Sequence, residues 1–163
     1  MDTCPVDLAP AQARSSTPLG RRQRAVNSKY WRDRADLLWR TLILKLEPRC
    51  AVAVHGGSDE PCSGHLNAHH LVSRAIPCLR HERENGITLC VWHHTYSSRL
   101  SPHAAPLHFS DWMEARMPAR RQWERAHRWD HGKADYRAAC YRLARQLGYD
   151  VKDEQKEAER EEA

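Results

Sequence analysis

Apolar residues recur at helical spacing over positions 29–46. Trp31, Ala35, Leu38, Leu42 and Leu46 fall on one stripe, and Trp39 and Ile43 widen it. Asn27 or Ser28 can cap the start, and Pro48 closes the end. The pattern predicts a helix packed on a core. It then breaks: Gly56, Gly57, Pro61 and Gly64 mark residues 50–64 as a loop. A short strand is expected at 66–69, a polar loop at 73–86 and a second short strand at 87–90. A helix is expected to begin near Val91, and residues 101–109 return to loop. Ser110 is the expected cap of a helix that runs to Met117, where Pro118 interrupts it. Two more helices are expected at 119–129 and 134–147. The latter sets Tyr136, Cys140, Leu143 and Leu147 on one face and stops at Gly148. No internal repeat is present.

The ends differ from this middle. Positions 1–27 are rich in Pro, Ala, Ser, Thr and Arg without apolar periodicity, and read as a disordered basic tail. Its Arg21, Arg22 and Arg24 either touch phosphates or are simply solvated. The expected organisation is that tail, a core with its preceding helix at 28–110, C-terminal helices at 111–149 and an acidic tail at 150–163. The fold class is α+β, a mostly helical single domain.

Composition sharpens this. Only 40% of the residues are hydrophobic and the mean hydropathy is −0.81, so the core must be small and in need of a staple. Six cysteines are available. The N-terminus shows no apolar leader, and no stretch is long and apolar enough for a membrane span. A cytoplasmic, reducing location is therefore expected, where clustered Cys and His indicate metal before disulfide. The net charge is +5, but residues 153–163 hold six acidic and two basic side chains. Without them 24 basic and 15 acidic residues remain, a net of +9. Such a body suits a polyanion, and DNA is the expected partner.

The chemistry concentrates in the middle: nine of the eleven histidines lie between His55 and His108. One group is rich in thiols. Cys50 and Cys62 precede Cys90 and His93, which form a C-x2-H knuckle whose two ligands can reach one ion from one tight turn. Three thiolates and an imidazole make a structural zinc set. Eleven residues separate Cys50 from Cys62, wider than a tight knuckle, and His55 and His65 are rival ligands. A second group comprises His69 and His70, then Asn85, then His94, with fourteen and eight residues in the intervals after His70 and Asn85. Neighbours on a strand point to opposite faces, so His69 and His70 have different jobs. Cys4, Cys78 and Cys140 read as ordinary thiols, with Cys140 in the core. His103 and His108 read as loop residues, and Trp112, Trp123 and Trp129 as packing residues of the C-terminal helices.

The segments HLNAHHLVSR (65–74) and RENGITLCVWHH (83–94) resemble the HNH endonuclease family, particularly phage-type members with a Cys/His knuckle. The match covers residues 50–110. The resemblance implies a ββα-metal centre. It makes His69 and His94 ligands of a catalytic divalent cation, Mg²⁺ or Mn²⁺, and His70 the general base. Asn85 shapes the loop and orients that base, and Cys50, Cys62, Cys90 and His93 hold structural Zn²⁺. Many relatives have Asp where this chain has His69, and a neutral ligand leaves the ion more positive. The implied activity is metal-dependent hydrolysis of DNA phosphodiester bonds. Arg74, Arg120 and Arg121 are the candidate DNA contacts, and Arg125 and Arg128 either extend that strip or form a solvated helix face. A zinc-stabilised DNA-binding module without catalysis and a recombination nuclease for branched DNA are the alternatives.

Overall fold

The computed structural model describes residues 28–150. The readings for the basic tail at 1–27, including Cys4, and for 151–163 lie outside the described residues.

Helix α1 (Lys29–Leu46) follows the predicted stripe except at Leu46, which ends the helix and is exposed. Ser28 caps it, its hydroxyl accepting from the Trp31 amide, and Trp31, Ala35, Leu38, Trp39, Leu42 and Ile43 are buried. The 50–64 segment is not wholly loop. A short helix, α2 (Ala51–His55), opens it, because Ala51 and Val52 are apolar enough to be buried before Gly56, at φ 68°, ends the turn. Strands β1 (Leu66–His70) and β2 (Gly86–Cys90) form one antiparallel hairpin, with Leu66 opposite Cys90 and His70 opposite Gly86. The expected helix near Val91 is instead one π-helical turn (Trp92–Tyr96), closed by the Ser97 amide on the Trp92 carbonyl at 2.9 Å. Helix α3 (Pro106–Arg116) begins four residues before the expected cap Ser110. Pro106 starts the helix rather than breaking it, since a first-turn residue needs no N–H partner. Helices α4 (Pro118–His127) and α5 (Tyr136–Leu147) complete the chain, and Gly148, at φ 84°, stops α5 as predicted.

Two small cores result. One joins α1 to α5 through Trp31, Leu38 and Leu42 against Cys140, Leu143 and Leu147. The other packs α2 and α3 on β2, with Val52, Phe109 and Trp112 around Ile87 and Leu89. Trp112 packs there as expected, but Trp129 does not, being 77% exposed. Helix α4 buries none of its side chains. Among the described residues no helix is long and apolar enough to cross a membrane.

Gly86 joins the two cores. A Cβ there would sit 2.4 Å from Ile43 Cδ1 and 3.0 Å from Trp39 Cζ2, so a side chain would push α1 off the hairpin. We predict that Gly86→Ala costs about 1–3 kcal/mol through overpacking. Urea denaturation measures this, and an unchanged midpoint would show that α1 has room to move.

Candidate metal centres

The thiol group is assembled from four segments. Cys50 precedes α2, Cys62 lies in the loop before β1, Cys90 ends β2, and His93 sits in the π turn. Their sulfurs lie 3.6, 3.5 and 3.2 Å from His93 Nδ1 for Cys50, Cys62 and Cys90. Gly64 makes the closure possible. Its φ is 77°, and a Cβ there would come within 2.7 Å of Val91. The Trp92 amide donates to Ser63 O at 3.1 Å across the same turn. Cys50, Cys90 and His93 are buried, while Cys62 is exposed. No disulfide links these cysteines.

Three thiols this close cannot all ionise unaided. Burial, then the neighbouring Cys50 and Cys90, pushes the Cys62 thiol up to about 12. Burial also opposes ionisation of Cys90, but the backbone at His93 and Ser63 together with the Cys50 and Cys62 side chains outweighs it and brings that thiol below its ordinary value. Burial lowers the His93 imidazole below its ordinary value. Its Nε2 is buried without a hydrogen-bond partner among the described residues, so the ring is held through the sulfurs on Nδ1. All four ligand atoms lie within 4.8 Å of one another, and the donor set fits a tetrahedral cation. His55 and His65 are not in this cluster.

The second cluster lies on the other side of the π turn. His69 Nδ1 is 3.1 Å from His94 Nε2, which is 3.3 Å from His103 Nε2. One nitrogen from each ring falls within 4.8 Å of the others. Ser101 sets the third ring: its hydroxyl donates to His94 O at 2.8 Å and accepts from the His103 amide at 3.1 Å. Burial, then the adjacent His94 and His103, lowers His69 to about 3. Imidazole nitrogens converging on one point are a ligand set, and they fit a divalent cation. His103 is therefore not merely a loop residue. It was missed because it follows His94 by nine residues, a spacing that no single turn explains.

His70 points the other way, toward α1. Its ring stacks on Trp39 with centroids 3.8 Å apart and planes at 17°. Its Nε2 lies 2.8 Å from the Arg80 carbonyl. A carbonyl only accepts, so Nε2 carries the proton and Nδ1 has the free lone pair. Burial lowers His70 to about 4 against the opposing Arg80 carbonyl, and the charges of Arg74 and Arg80 add to the lowering.

The Asn85 side chain makes no hydrogen bond to His70. Fully buried, it accepts from the Val72 amide at 2.6 Å and donates to the Val72 and Leu79 carbonyls at 3.2 and 2.9 Å. It pins the loop, and the next carbonyl along, that of Arg80, fixes the tautomer. Asp36 pins the same loop from α1. It takes a bidentate pair from Arg80 at 2.7 and 2.6 Å and a contact from His81 Nε2 at 2.8 Å. Sequence spacing shows that Asp36, Trp39 and Arg40 share one face of α1, but not what that face meets.

Among the candidate arginines, Arg74 is exposed and lines a hollow of about 420 Å³ beside His69 and His70. Arg120 instead pairs with Glu47 and donates to Gly86 O. Arg121 pairs with Glu124 and Glu114, Arg128 with Glu124 and Arg125 with Glu114, so they brace α3 and α4. A second hollow of about 520 Å³, bordered by Arg121 and Arg128, shares His69, His70 and Ser73 with the first.

No family model, curated protein or solved structure matches the chain. Its likeness to an HNH centre rests on these two clusters, carried by a small antiparallel hairpin beside helices.

The Asp36 clamp gives a pH prediction. Burial opposes ionisation of Asp36, but its bonds to Arg80 and His81 outweigh this and hold it well below the usual carboxylate range. A group depressed on folding stabilises fully above its unfolded pKa, about 3.9 for Asp, and loses that stabilisation as pH falls toward the folded value. We predict that Asp36→Asn lowers the urea midpoint at neutral pH and shallows its decline below about pH 4. Parallel pH curves for the two chains would remove the clamp.

Proposed function

We propose that the chain is a metal-dependent endonuclease that hydrolyses DNA phosphodiester bonds, with His70 as general base and a divalent cation at His69, His94 and His103. The observation that carries this reading is the placement of His70. Its Nδ1 lone pair is free, its ring is fixed by Trp39 and the Arg80 carbonyl, and it borders the same hollow as the three-histidine cluster.

In this reading His70 Nδ1 takes a proton from a water as the oxygen attacks phosphorus and the P–O3′ bond breaks. Lowered to about 4, His70 is neutral and ready to accept at physiological pH. The imidazolium formed is steadied by the Arg80 carbonyl on Nε2. Asn85 and Asp36 keep that carbonyl in place. When bound, the cation supplies charge stabilisation to the phosphate oxygens and the leaving oxygen. Mg²⁺ and Mn²⁺ prefer oxygen ligands and would lean on waters and phosphate oxygens here, whereas three imidazoles suit a softer ion such as Zn²⁺ or Ni²⁺. The Cys50, Cys62, Cys90 and His93 set is read as structural zinc, tying α2, the hairpin and the π turn together.

The test is conversion of supercoiled plasmid to nicked or linear DNA in Mg²⁺, Mn²⁺, Ni²⁺, Zn²⁺ and EDTA. His70→Ala should lower the rate about 10²–10⁴-fold in a chain that still folds cooperatively. Full activity in that variant would remove His70 from the reaction. DNA binding without cleavage in every metal would leave a zinc-stabilised binding module. Separately, Cys90→Ser should abolish bound zinc and lower the melting temperature. Unchanged zinc content and melting temperature would remove Cys90 from the zinc site.

A further inference from the structure

The two hollows beside His69 and His70 differ in how their arginines are used. On the α4 side, Arg121 and Arg128 are both held by Glu124, which itself lines that hollow. On the α1 side, Arg40 and Arg74 line the hollow, are exposed, and have no carboxylate partner among the described residues. Among the described residues Asp36 is the one acid lining that side, and both its oxygens are taken by Arg80 and His81. Among those residues the α1 side therefore presents positive charge without a paired carboxylate, whereas Glu124 offsets it on the α4 side.

We propose that Arg40 and Arg74 form a phosphate clamp that seats the DNA strand along the α1 side of the site, beside the base. The inference rests on the nuclease reading and deepens it. Arg40 lies one helical turn beyond Asp36 on α1, and Arg74 lies four residues beyond His70. The hollow thus has one guanidinium from the helix and one from the loop, with His70 and the three-histidine cluster along its lining. Guanidinium forks match phosphate oxygens, and a guanidinium with no prior partner gives up none to bind them. A strand lying toward α4 would meet Glu124 instead.

The experiment is fluorescence anisotropy with a short labelled duplex across a salt series. It uses the full chain carrying His70→Ala, so that the probe stays intact. Adding Arg40→Ala or Arg74→Ala should each weaken binding about tenfold and reduce the salt slope by about one. Arg40→Lys should keep the slope, and Arg145→Ala, an exposed charge on α5, should change neither quantity. If the unsubstituted chain cleaves plasmid while Arg40→Ala and Arg74→Ala bind like their parent, the clamp is overturned and the nuclease reading survives. Equal loss from Arg145→Ala would overturn it too, showing only the effect of net charge. Failure of every chain to bind or cleave DNA would overturn the nuclease reading, and the clamp with it.

Discussion

A strand reverses its side chains at every residue, and the candidate site follows from that constraint at His69 and His70. Pairing of His70 with Gly86 fixes the register, and the chain then cannot present both rings to one place. His69 turns toward His94 and His103, and His70 turns toward Trp39 and the Arg80 carbonyl. A slip of one residue would exchange the two environments, moving a ring suited to ligation onto the helix and a stacked ring into the cluster. Gly86 carries the register into three dimensions, because only a residue without Cβ lets α1 come close enough to stack Trp39 on His70.

A two-stranded hairpin is marginal by itself, and this one is flanked by two small cores rather than one large one. The thiol cluster sits at the edge of the second core, which includes Cys50 and Cys90, and draws one side chain each from the residue before α2, the loop before β1, the end of β2 and the π turn. Three thiolates this close repel one another without a cation; burial first, then Cys50 and Cys90, opposes ionisation of Cys62. The same crowding makes the cluster a tie when its charge is balanced. Because His93 and His94 are adjacent in the π turn, fixing His93 among the sulfurs also fixes where His94 can point.

Much of this was legible in the sequence, and the rest was hidden for physical reasons. The α1 stripe, both strands, the Gly148 stop and the knuckle pair Cys90 and His93 are local patterns, readable from spacing alone. The start of α3 falls in residues read as loop, because Pro106 opens the helix from its first turn ahead of the more conspicuous cap candidate Ser110. The π turn has no periodic signature, and the two apolar residues at the start of α2 are too few for one. In the site, His69, His70 and His94 stood out by adjacency to their motif, but His103 reaches the cluster only through the Ser101 turn. Asp36 and Arg80 meet across forty-four positions, a contact that no local spacing encodes. Arg120 and Arg121 looked free because their acids, Glu47, Glu114 and Glu124, become neighbours only once α3 and α4 pack.

The arrangement around His70 separates orientation from charge. A carboxylate bonded directly to the ring would orient it, but would also raise its pKa and favour the imidazolium. Here a neutral carbonyl orients the ring, while the carboxylate, Asp36, acts one step back by holding Arg80. Burial and two nearby guanidiniums then dominate, and His70 stays neutral far below physiological pH. The consequence is a weaker base, and the carbonyl on Nε2 offsets part of that by favouring the protonated ring. The same step back also disposes of a negative charge that would repel a phosphate. With both oxygens committed to Arg80 and His81, Asp36 can border the hollow without cancelling Arg40 and Arg74. Orientation of the base and the positive character of its cleft thus come from one ion pair between α1 and the loop after β1.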